Sequence, residues 1–124
     1  MTMPAPKKIL VVDDESLVCE AVKMLLEFDG HEVVTASSGD EALVLFEPGK
    51  FDVVTTDYTM PGMNGAELAR ALKARAPGQP VIMITAHAEM LKNSAVPLAG
   101  VDGLVSKPFQ LQELRDAIQK VTAG

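Results

Sequence analysis

Residues 51–65 have the sequence FDVVTTDYTMPGMNG. The run of β-branched residues before Asp57 is typical of a buried strand, and the proline and glycines after it are typical of a loop. Asn64 and Gly65 then precede a stretch rich in alanine and leucine that ends before Pro77, as expected of a helix. The stretch therefore predicts one strand–loop–helix unit, with Asp57 at the carboxyl end of the strand.

The same alternation of strand and helix patterns continues on both sides of this unit. The predicted strands are Lys8–Val12, His31–Ala36, Asp52–Asp57, Val81–Thr85 and Gly103–Val105. The clear helix patterns span about Ser16–Phe28, Gly39–Phe46, the stretch that follows Asn64-Gly65 and ends before Pro77, and Gln110–Thr122. On helix one, Leu17, Val18, Ala21, Val22, Leu25 and Leu26 are expected to supply the buried stripe. Alternating units of this kind predict an α/β fold, a doubly wound five-stranded parallel sheet with five helices.

The fourth helix is the least regular of the five. An interior proline costs about 3 kcal/mol unless the helix bends or ends early, and Pro97 lies inside the segment Glu89–Ala99. We therefore expect a short or bent helix there. Residues 1–6 and residues 123–124 are expected to be a flexible N-terminus and a C-terminal tail, so the folded domain covers residues 7–122.

Composition limits the kinds of protein that this chain can be. Its 124 residues have room for one domain, and a 48% share of apolar residues can supply its core. A formal charge of −6 argues against direct binding to a nucleic-acid backbone. Cys19 is the only cysteine, which excludes an internal disulfide, and no stretch has the ~20 apolar residues of a membrane span. We expect a cytoplasmic protein without membrane attachment, either a monomer or a weak dimer.

Polar side chains collect at the carboxyl ends of the predicted strands. They are Asp13 and Asp14 after strand one, Asp57 at the end of strand three, Thr85 at the end of strand four and Lys107 after strand five. In a parallel sheet with right-handed connections these ends share one edge, which is where such folds bind ligands. Each residue alone is more often a turn or cap residue, but their shared placement predicts one functional cluster.

Three ionised carboxylates need cations around them. One pair of like charges about 4 Å apart costs about 4 kcal/mol at an effective dielectric constant near 20. Lys107 supplies one positive charge, and a divalent cation with oxygen ligands, Mg²⁺ or Mn²⁺, would supply two more. Such a set has the parts for phosphoryl chemistry, in which cations neutralise the phosphoryl oxygens while a carboxylate attacks in line.

Four motifs occur along the chain: VVDDE at residues 11–15, DYTMPGMNG at 57–65, TA at 85–86 and SKPF at 106–109. Their order and spacing resemble the receiver domain of bacterial two-component response regulators. The resemblance extends from about Lys7 to Val121. It implies a flavodoxin-like sheet with strand order 2-1-3-4-5 and a signalling switch whose protein-binding surface changes on phosphorylation.

The resemblance also implies roles for the acidic residues. Asp57 would accept the phosphoryl group and contribute to the metal site. Asp14 would bind the metal directly, while Asp13 would help through water. The main-chain carbonyl of Thr59 would complete the protein's share of the metal shell.

Lys107 and Thr85 would act on the transferred group. Lys107 would hold a phosphoryl oxygen, aided by a cis bond to Pro108, and Thr85 would turn its hydroxyl toward the phosphate once it arrives. The domain would thus assist its own phosphorylation and dephosphorylation without being an enzyme for other substrates.

The implied phosphodonor is a phosphohistidine on a sensor histidine kinase or a histidine phosphotransfer protein. It would dock beside the site, against the start of helix one near Glu15 and Leu17 and against the loop at Pro108 and Phe109. No effector domain is recognisable after Gly124, so we expect the output to be a contact with another protein or onward phosphotransfer.

Four positions bear on how this switch would work. Receivers of this type usually carry Tyr or Phe three residues before the lysine, where this chain has Leu104, and Pro97 alters the same face. We therefore expect an unusual output partner or a switch that works through disorder of helix four. His87, like Thr59, flanks the route of the hydrolytic water in this family and would set the phosphate lifetime; alternatively it is a plain loop histidine.

Three other functions fit parts of the pattern. A small Mg²⁺-dependent phosphatase would use the same residue types. Such enzymes resemble one another in placing the nucleophile after the first strand, and most carry a cap over the substrate, whereas Asp57 ends the third strand here and 124 residues leave no room for a cap. A flavodoxin-type electron carrier would need a glycine- and hydroxyl-rich phosphate loop, where this chain has Asp13, Asp14 and Glu15. A scaffold that binds partners without phosphorylation would not need the acidic cluster.

Overall fold

The computed structural model describes residues 6–92 and 100–122, in which strands and helices alternate along the chain. The strands are β1 (Lys8–Val12), β2 (Glu32–Ala36), β3 (Val53–Thr56), β4 (Val81–Thr85) and β5 (Gly103–Ser106). The helices are α1 (Ser16–Phe28), α2 (Gly39–Leu45), α3 (Gly65–Arg75), α4 (Ala88–Lys92) and α5 (Leu111–Thr122).

Most predicted elements are therefore present, with ends that differ by about one residue, a common difference where helices and strands fray. The start of β2 shows the cause. The main-chain N–H of His31 donates to the carbonyl oxygen of Leu26, so His31 completes the end of α1 and the strand begins one residue later.

The sheet has the order β2-β1-β3-β4-β5, and every neighbouring pair is parallel. This confirms the predicted fold class and the implied strand order. Val12 lies opposite both Ala36 and Thr56, and Thr85 lies opposite Ser106, so the strands end at one level. The residues that directly follow β1, β3 and β5 consequently meet at one edge.

Two apolar layers cover the two faces of the sheet. Ile9 and Val11 pack in a cluster with α1 and α5, whereas Leu10 and Val12 pack in a cluster with α2 and α3. Strands β3 and β4 are buried along their whole length, as expected of central strands covered on both faces. The core thus holds the strand ends rigidly in place.

Helix α1 carries two apolar stripes rather than one. Val22 and Leu26 lie on the buried stripe, but Leu17, which was predicted to belong to it, is 84% exposed. The prediction is wrong for Leu17 and for Ala21, which is also exposed. Both belong with Met24 and Phe28 on a second face with the same spacing, and periodicity alone does not say which face meets the sheet.

Local side-chain contacts fix where α2 and α3 begin. The hydroxyl oxygen of Ser38 accepts the main-chain N–H of Glu41, which caps α2. Asn64 and Glu67 form a reciprocal capping box at the start of α3, with distances of 2.9 and 3.0 Å. These caps satisfy donors that the first turn of a helix leaves without partners.

Helix α4 is described only from Ala88 to Lys92. Pro97 and the predicted bend of this helix fall in residues 93–99, outside the described residues, as do residues 1–5 of the predicted flexible N-terminus and the tail 123–124. Within the part of the chain that the structure describes, no helix has both the length and the hydropathy needed to cross a membrane.

Candidate functional site

Asp57 lies at the centre of the edge where the strands end, and it is 7% exposed. One carboxylate oxygen, Oδ1, accepts the main-chain N–H of Tyr58 at 2.7 Å. The other, Oδ2, lies 3.3 Å from the ammonium nitrogen of Lys107. The main chain of Asp57 is also held, because its N–H donates to Val12 and its carbonyl oxygen accepts the hydroxyl of Thr56. The carboxylate is therefore fixed in position.

Lys107 reaches this carboxylate from β5 and shares its charge with a second acid. Its Nζ lies 3.0 Å from Oδ2 of Asp13, and its main-chain N–H donates to the carbonyl oxygen of Thr85. Burial works to lower the pKa of Lys107, but the hydrogen bond with Asp13 and the charges of Asp13 and Asp57 outweigh burial and raise the pKa. The ammonium therefore stays charged, and the peptide bond that follows it, to Pro108, is cis.

The two adjacent acids after β1 have different surroundings. Asp13 is 4% exposed, and its second oxygen accepts the main-chain N–H of Glu15 at 2.9 Å. Asp14 is exposed to solvent. Asp13 is thus held by protein donors, whereas the Asp14 carboxylate has room for another ligand.

One carboxylate oxygen of each of Asp13, Asp14 and Asp57 lies within 4.8 Å of the corresponding oxygens of the other two. Three carboxylates and the Lys107 ammonium leave two negative charges at the site. Oxygen ligands and a deficit of two positive charges suit a hard divalent cation. The residues present therefore fit a metal ion of the kind predicted from the sequence.

An open cavity of about 260 Å³ adjoins these groups. Its lining consists of Asp14, Glu15, Asp57, Thr59, Thr85, Ala86, His87 and Lys107. The Thr85 side chain is fully buried, and its hydroxyl oxygen accepts the main-chain N–H of His87 at 3.2 Å. The cavity has room for a phosphoryl group and several waters beside Asp57.

The structure thus brings the predicted site residues to one place. The three acids lie together, Lys107 contacts Asp13 and Asp57, and Thr59 and Thr85 line the same cavity as Asp57. These residues come from β1, β3, β4 and β5 or from the positions just after them.

Gly65 packs closely against the main chain of Asp57, a contact that the sequence reasoning did not predict. A Cβ atom there would overlap the carbonyl oxygen of Asp57 and lie 3.0 Å from Cα of Tyr58. Its N–H donates to the carbonyl oxygen of Tyr58 at 2.8 Å. A glycine at the first position of an otherwise strong helix pattern was the available signal, because glycine disfavours helices and needs another reason to be there.

Residues 9–119 match the response regulator receiver domain. The chain belongs to this family. Its members are phosphorylation-dependent switches in two-component systems, and they interact with histidine kinases and output proteins. Membership confirms the resemblance predicted from the motifs, and it accounts for an acidic cluster that could bind a metal.

Relatives of this receiver domain include proteins of different length. The chemotaxis protein CheY of Pseudomonas aeruginosa is 41% identical over 117 residues, which cover 92% of this chain and 94% of that protein. The probable transcriptional regulatory protein TcrX of Mycobacterium tuberculosis is 36% identical, and the match covers 88% of this chain and 47% of that protein. The chain therefore spans nearly all of the first relative and about half of the second.

Solved structures of receiver domains have the same fold. A receiver domain protein from Clostridium thermocellum gives a TM-score of 0.85 at 38% identity, covering 94% of each chain. The response regulator TrrA of Thermotoga maritima, solved in complex with Mg²⁺ and BeF, gives a TM-score of 0.84 at 36% identity, covering 93% of this chain and 98% of that one.

Proposed function

We propose that this receiver domain accepts a phosphoryl group on Asp57 from the phosphohistidine of a sensor histidine kinase or a histidine phosphotransfer protein. A carboxylate oxygen of Asp57 forms the new bond to phosphorus as the bond between phosphorus and the imidazole nitrogen breaks. The observation that carries the proposal is a buried, doubly held carboxylate beside an ammonium and an open cavity.

The proposal includes a divalent cation, Mg²⁺ or Mn²⁺. Asp14, Asp57 and the main-chain carbonyl of Thr59 would hold it, with Asp13 acting through water. The two uncompensated negative charges of the cluster support this assignment. When bound, such a cation neutralises charge on the phosphoryl oxygens.

Lys107 and Thr85 would respond to the transferred group. Lys107 already contacts Asp57, so its ammonium can pair with a phosphoryl oxygen on that side chain. Thr85 lies in the same cavity and keeps its hydroxyl hydrogen for a new acceptor, since the bond from His87 uses only its oxygen. A swing from 1:99 to 99:1 between two conformers needs about 5.5 kcal/mol, which several charge-assisted contacts to a dianion can supply.

The phosphodonor would bind beside the cavity. Glu15 lines the cavity, Leu17 is 84% exposed at the start of α1, and Phe109 follows the cis peptide bond on the other side. An apolar contact next to the phosphoacceptor can hold a partner helix in place during transfer. The free, buried thiol of Cys19 suits a cytoplasmic location, which we include in the proposal.

The output would be a contact with another protein or onward phosphotransfer. Leu104 is partly buried in β5, three residues before Lys107, where receivers usually have an aromatic ring. Leucine lacks the ring that would report phosphorylation by changing its rotamer. We therefore propose that this face couples to an output partner by a different set of contacts.

Labelling with a small phosphoramidate in the presence of Mg²⁺, followed by intact mass spectrometry, tests the proposal. We expect one phosphoryl group per chain in the wild type and none in Asp57→Ala. Asp40→Ala, which removes an exposed acid at the start of α2, is the matched control and should label fully. Stoichiometric labelling of folded Asp57→Ala would overturn the assignment.

A further inference from the structure

A second cavity lies at the edge of the sheet opposite Asp57. Its volume is about 270 Å³, and Lys7, Asp29, His31, Arg115, Ile118 and Gln119 line it. Lys7 comes just before β1 and His31 just before β2, whereas Asp57 comes just after β3. Because the strands are parallel, the length of the sheet separates this cavity from the candidate phosphorylation site.

The acid in this lining, Asp29, is already neutralised. Arg115 donates from Nε to one carboxylate oxygen of Asp29 and from Nη2 to the other, both at 2.7 Å. The hydrogen bond from Arg115 also lowers the pKa of Asp29, so the pair stays ionised. With both oxygens of Asp29 occupied, this residue has little attraction left for a cation.

His31 presents an imidazole N–H donor to the cavity. Its Nδ1 lies 3.0 Å from the main-chain nitrogen of Lys7, and a main-chain N–H can only donate. Nδ1 is therefore the unprotonated nitrogen, and the neutral ring carries its hydrogen on Nε2. Within residues 6–92 and 100–122 no acceptor is found for that hydrogen, and no side-chain nitrogen there is both buried and without a partner, so Nε2 is accessible to a ligand in the cavity.

Lys7 and Arg115 add charged donors to the lining, whereas the Thr122 hydroxyl already donates to the carbonyl oxygen of Ile118. Within the described ranges the Lys7 ammonium makes no ion pair, and Nη1 of Arg115 has no hydrogen-bond partner. Gln119 adds an amide, and Ile118 adds an apolar wall. An ammonium without an ion pair, a guanidinium and an imidazole N–H beside an apolar side chain are complementary to a ligand with an anionic head and an apolar body.

We propose that this cavity binds a small organic carboxylate, with the carboxylate toward His31 and Lys7 and the apolar body against Ile118. A cavity of 270 Å³ is slightly smaller than most sites for drug-sized ligands and fits about ten non-hydrogen atoms. Binding here does not require a phosphoryl group on Asp57, so it can be tested separately from the proposed function.

Benzoate is a suitable probe, and benzamide is a neutral molecule of nearly the same shape. We expect benzoate to cause saturable NMR shifts at His31 and Ile118 with a Kd of about 1 mM, and benzamide to bind at least about tenfold more weakly. Asp57→Ala should bind benzoate like the wild type, because the two sites are at opposite edges of the sheet.

Two variants test the donors. In His31→Asn the side-chain oxygen can replace Nδ1 as the acceptor for Lys7, but the Nε2 donor is lost, so we expect about tenfold weaker binding. Lys7→Met should weaken binding about threefold. Lys8→Met makes the same charge change outside the cavity lining and should leave Kd unchanged.

Three results would overturn the proposal. Absence of saturation up to about 50 mM benzoate, well above the expected Kd, would exclude the site. Equal affinity for benzamide would exclude recognition of the anion. Equal effects of Lys7→Met and Lys8→Met would mean that net charge, rather than this cavity, attracts benzoate. Lys7 is near the surface, so its variant remains informative if His31→Asn does not fold.

Discussion

Gly65 lies so close to Asp57 that position 65 cannot carry a side chain without overlapping the carbonyl oxygen of Asp57. Its N–H also donates to the neighbouring carbonyl of Tyr58 at 2.8 Å. The first residue of α3 therefore packs directly against the main chain of Asp57, the candidate phosphoacceptor. A shift of α3 would therefore move the main chain of Asp57, and a shift of Asp57 would move α3.

Replacing Gly65 with alanine should disturb the site even though alanine favours helices by about 1 kcal/mol. The added Cβ must push the main chain at Asp57 away, which we expect to cost about 1–3 kcal/mol of stability and to slow labelling of Asp57 by about tenfold or more. Denaturant unfolding and labelling rates measure both effects. Gly78→Ala is the control, because its Cβ would meet nothing within 4 Å; equal labelling rates in the two variants would refute the prediction.

Magnesium should stabilise the folded domain through Asp14. At a concentration about 100 times its Kd, a ligand that binds only the native state adds about 2.7 kcal/mol, which raises Tm by roughly 5 °C or more. Asp14→Asn should lose this increase, since it removes an exposed carboxylate of the cluster. Glu20→Gln changes the charge equally on the exposed part of α1 and should keep the increase. A full Mg²⁺-dependent rise in Asp14→Asn would contradict the assignment.

Lys107→Ala should still accept a phosphoryl group on Asp57 but should respond weakly to it. Lys107 directly follows β5 and its side chain contacts Asp57, so it joins Asp57 to β5, while its main chain bonds to Thr85 at the end of β4. Without the ammonium, the phosphoryl group loses its contact with β5. NMR shift changes on α5 after labelling should be clearly smaller than in the wild type or in Lys120→Ala, an exposed lysine on the same helix. Undiminished shifts in labelled Lys107→Ala would contradict this.

His31 should make stability depend on pH below about 6.5, the ordinary pKa of histidine. Burial lowers its pKa in the folded state, so in that range the unfolded chain binds a proton that the folded one does not. The contribution of His31 to the free energy of unfolding is fully present above pH 6.5. It falls by up to about 1.4 kcal/mol per pH unit as the pH drops toward the pKa of His31 in the folded state. Urea unfolding from pH 7.5 to 5.5 should show a smaller loss in His31→Asn. His87→Asn, at the exposed second histidine, should keep the wild-type slope.

His87→Ala should shorten the lifetime of the acyl phosphate. The His87 side chain is exposed at the rim of the cavity that holds Asp57, where it can limit the approach of water. We expect decay to be about threefold faster, which corresponds to ~0.6 kcal/mol on the activation barrier. The decay of labelled protein after removal of the phosphodonor measures this. Equal decay rates would identify His87 as an ordinary loop residue.

The sequence by itself was enough to predict the fold and the residues that make up the candidate site. Strand and helix patterns are local, because a buried strand is apolar throughout and an amphipathic helix repeats every three to four residues. The topology rules for parallel sheets then bring Asp13, Asp57 and Lys107 to one edge without any knowledge of distances. These inferences need only the order of residues along the chain.

Only the tertiary structure decided which charged side chains of the site pair with each other and which helix faces are exposed to solvent. Lys107 and Asp13 are 94 residues apart in the chain, and the 3.0 Å contact between them follows from the sheet register and the side-chain packing. Leu17 has the same local pattern as its buried neighbours, yet the sheet covers only the other face of α1. The cavity at His31 likewise exists only because α5 reaches the end of α1, where Arg115 pairs with Asp29. Such features depend on distances between residues remote in sequence, which local patterns do not encode.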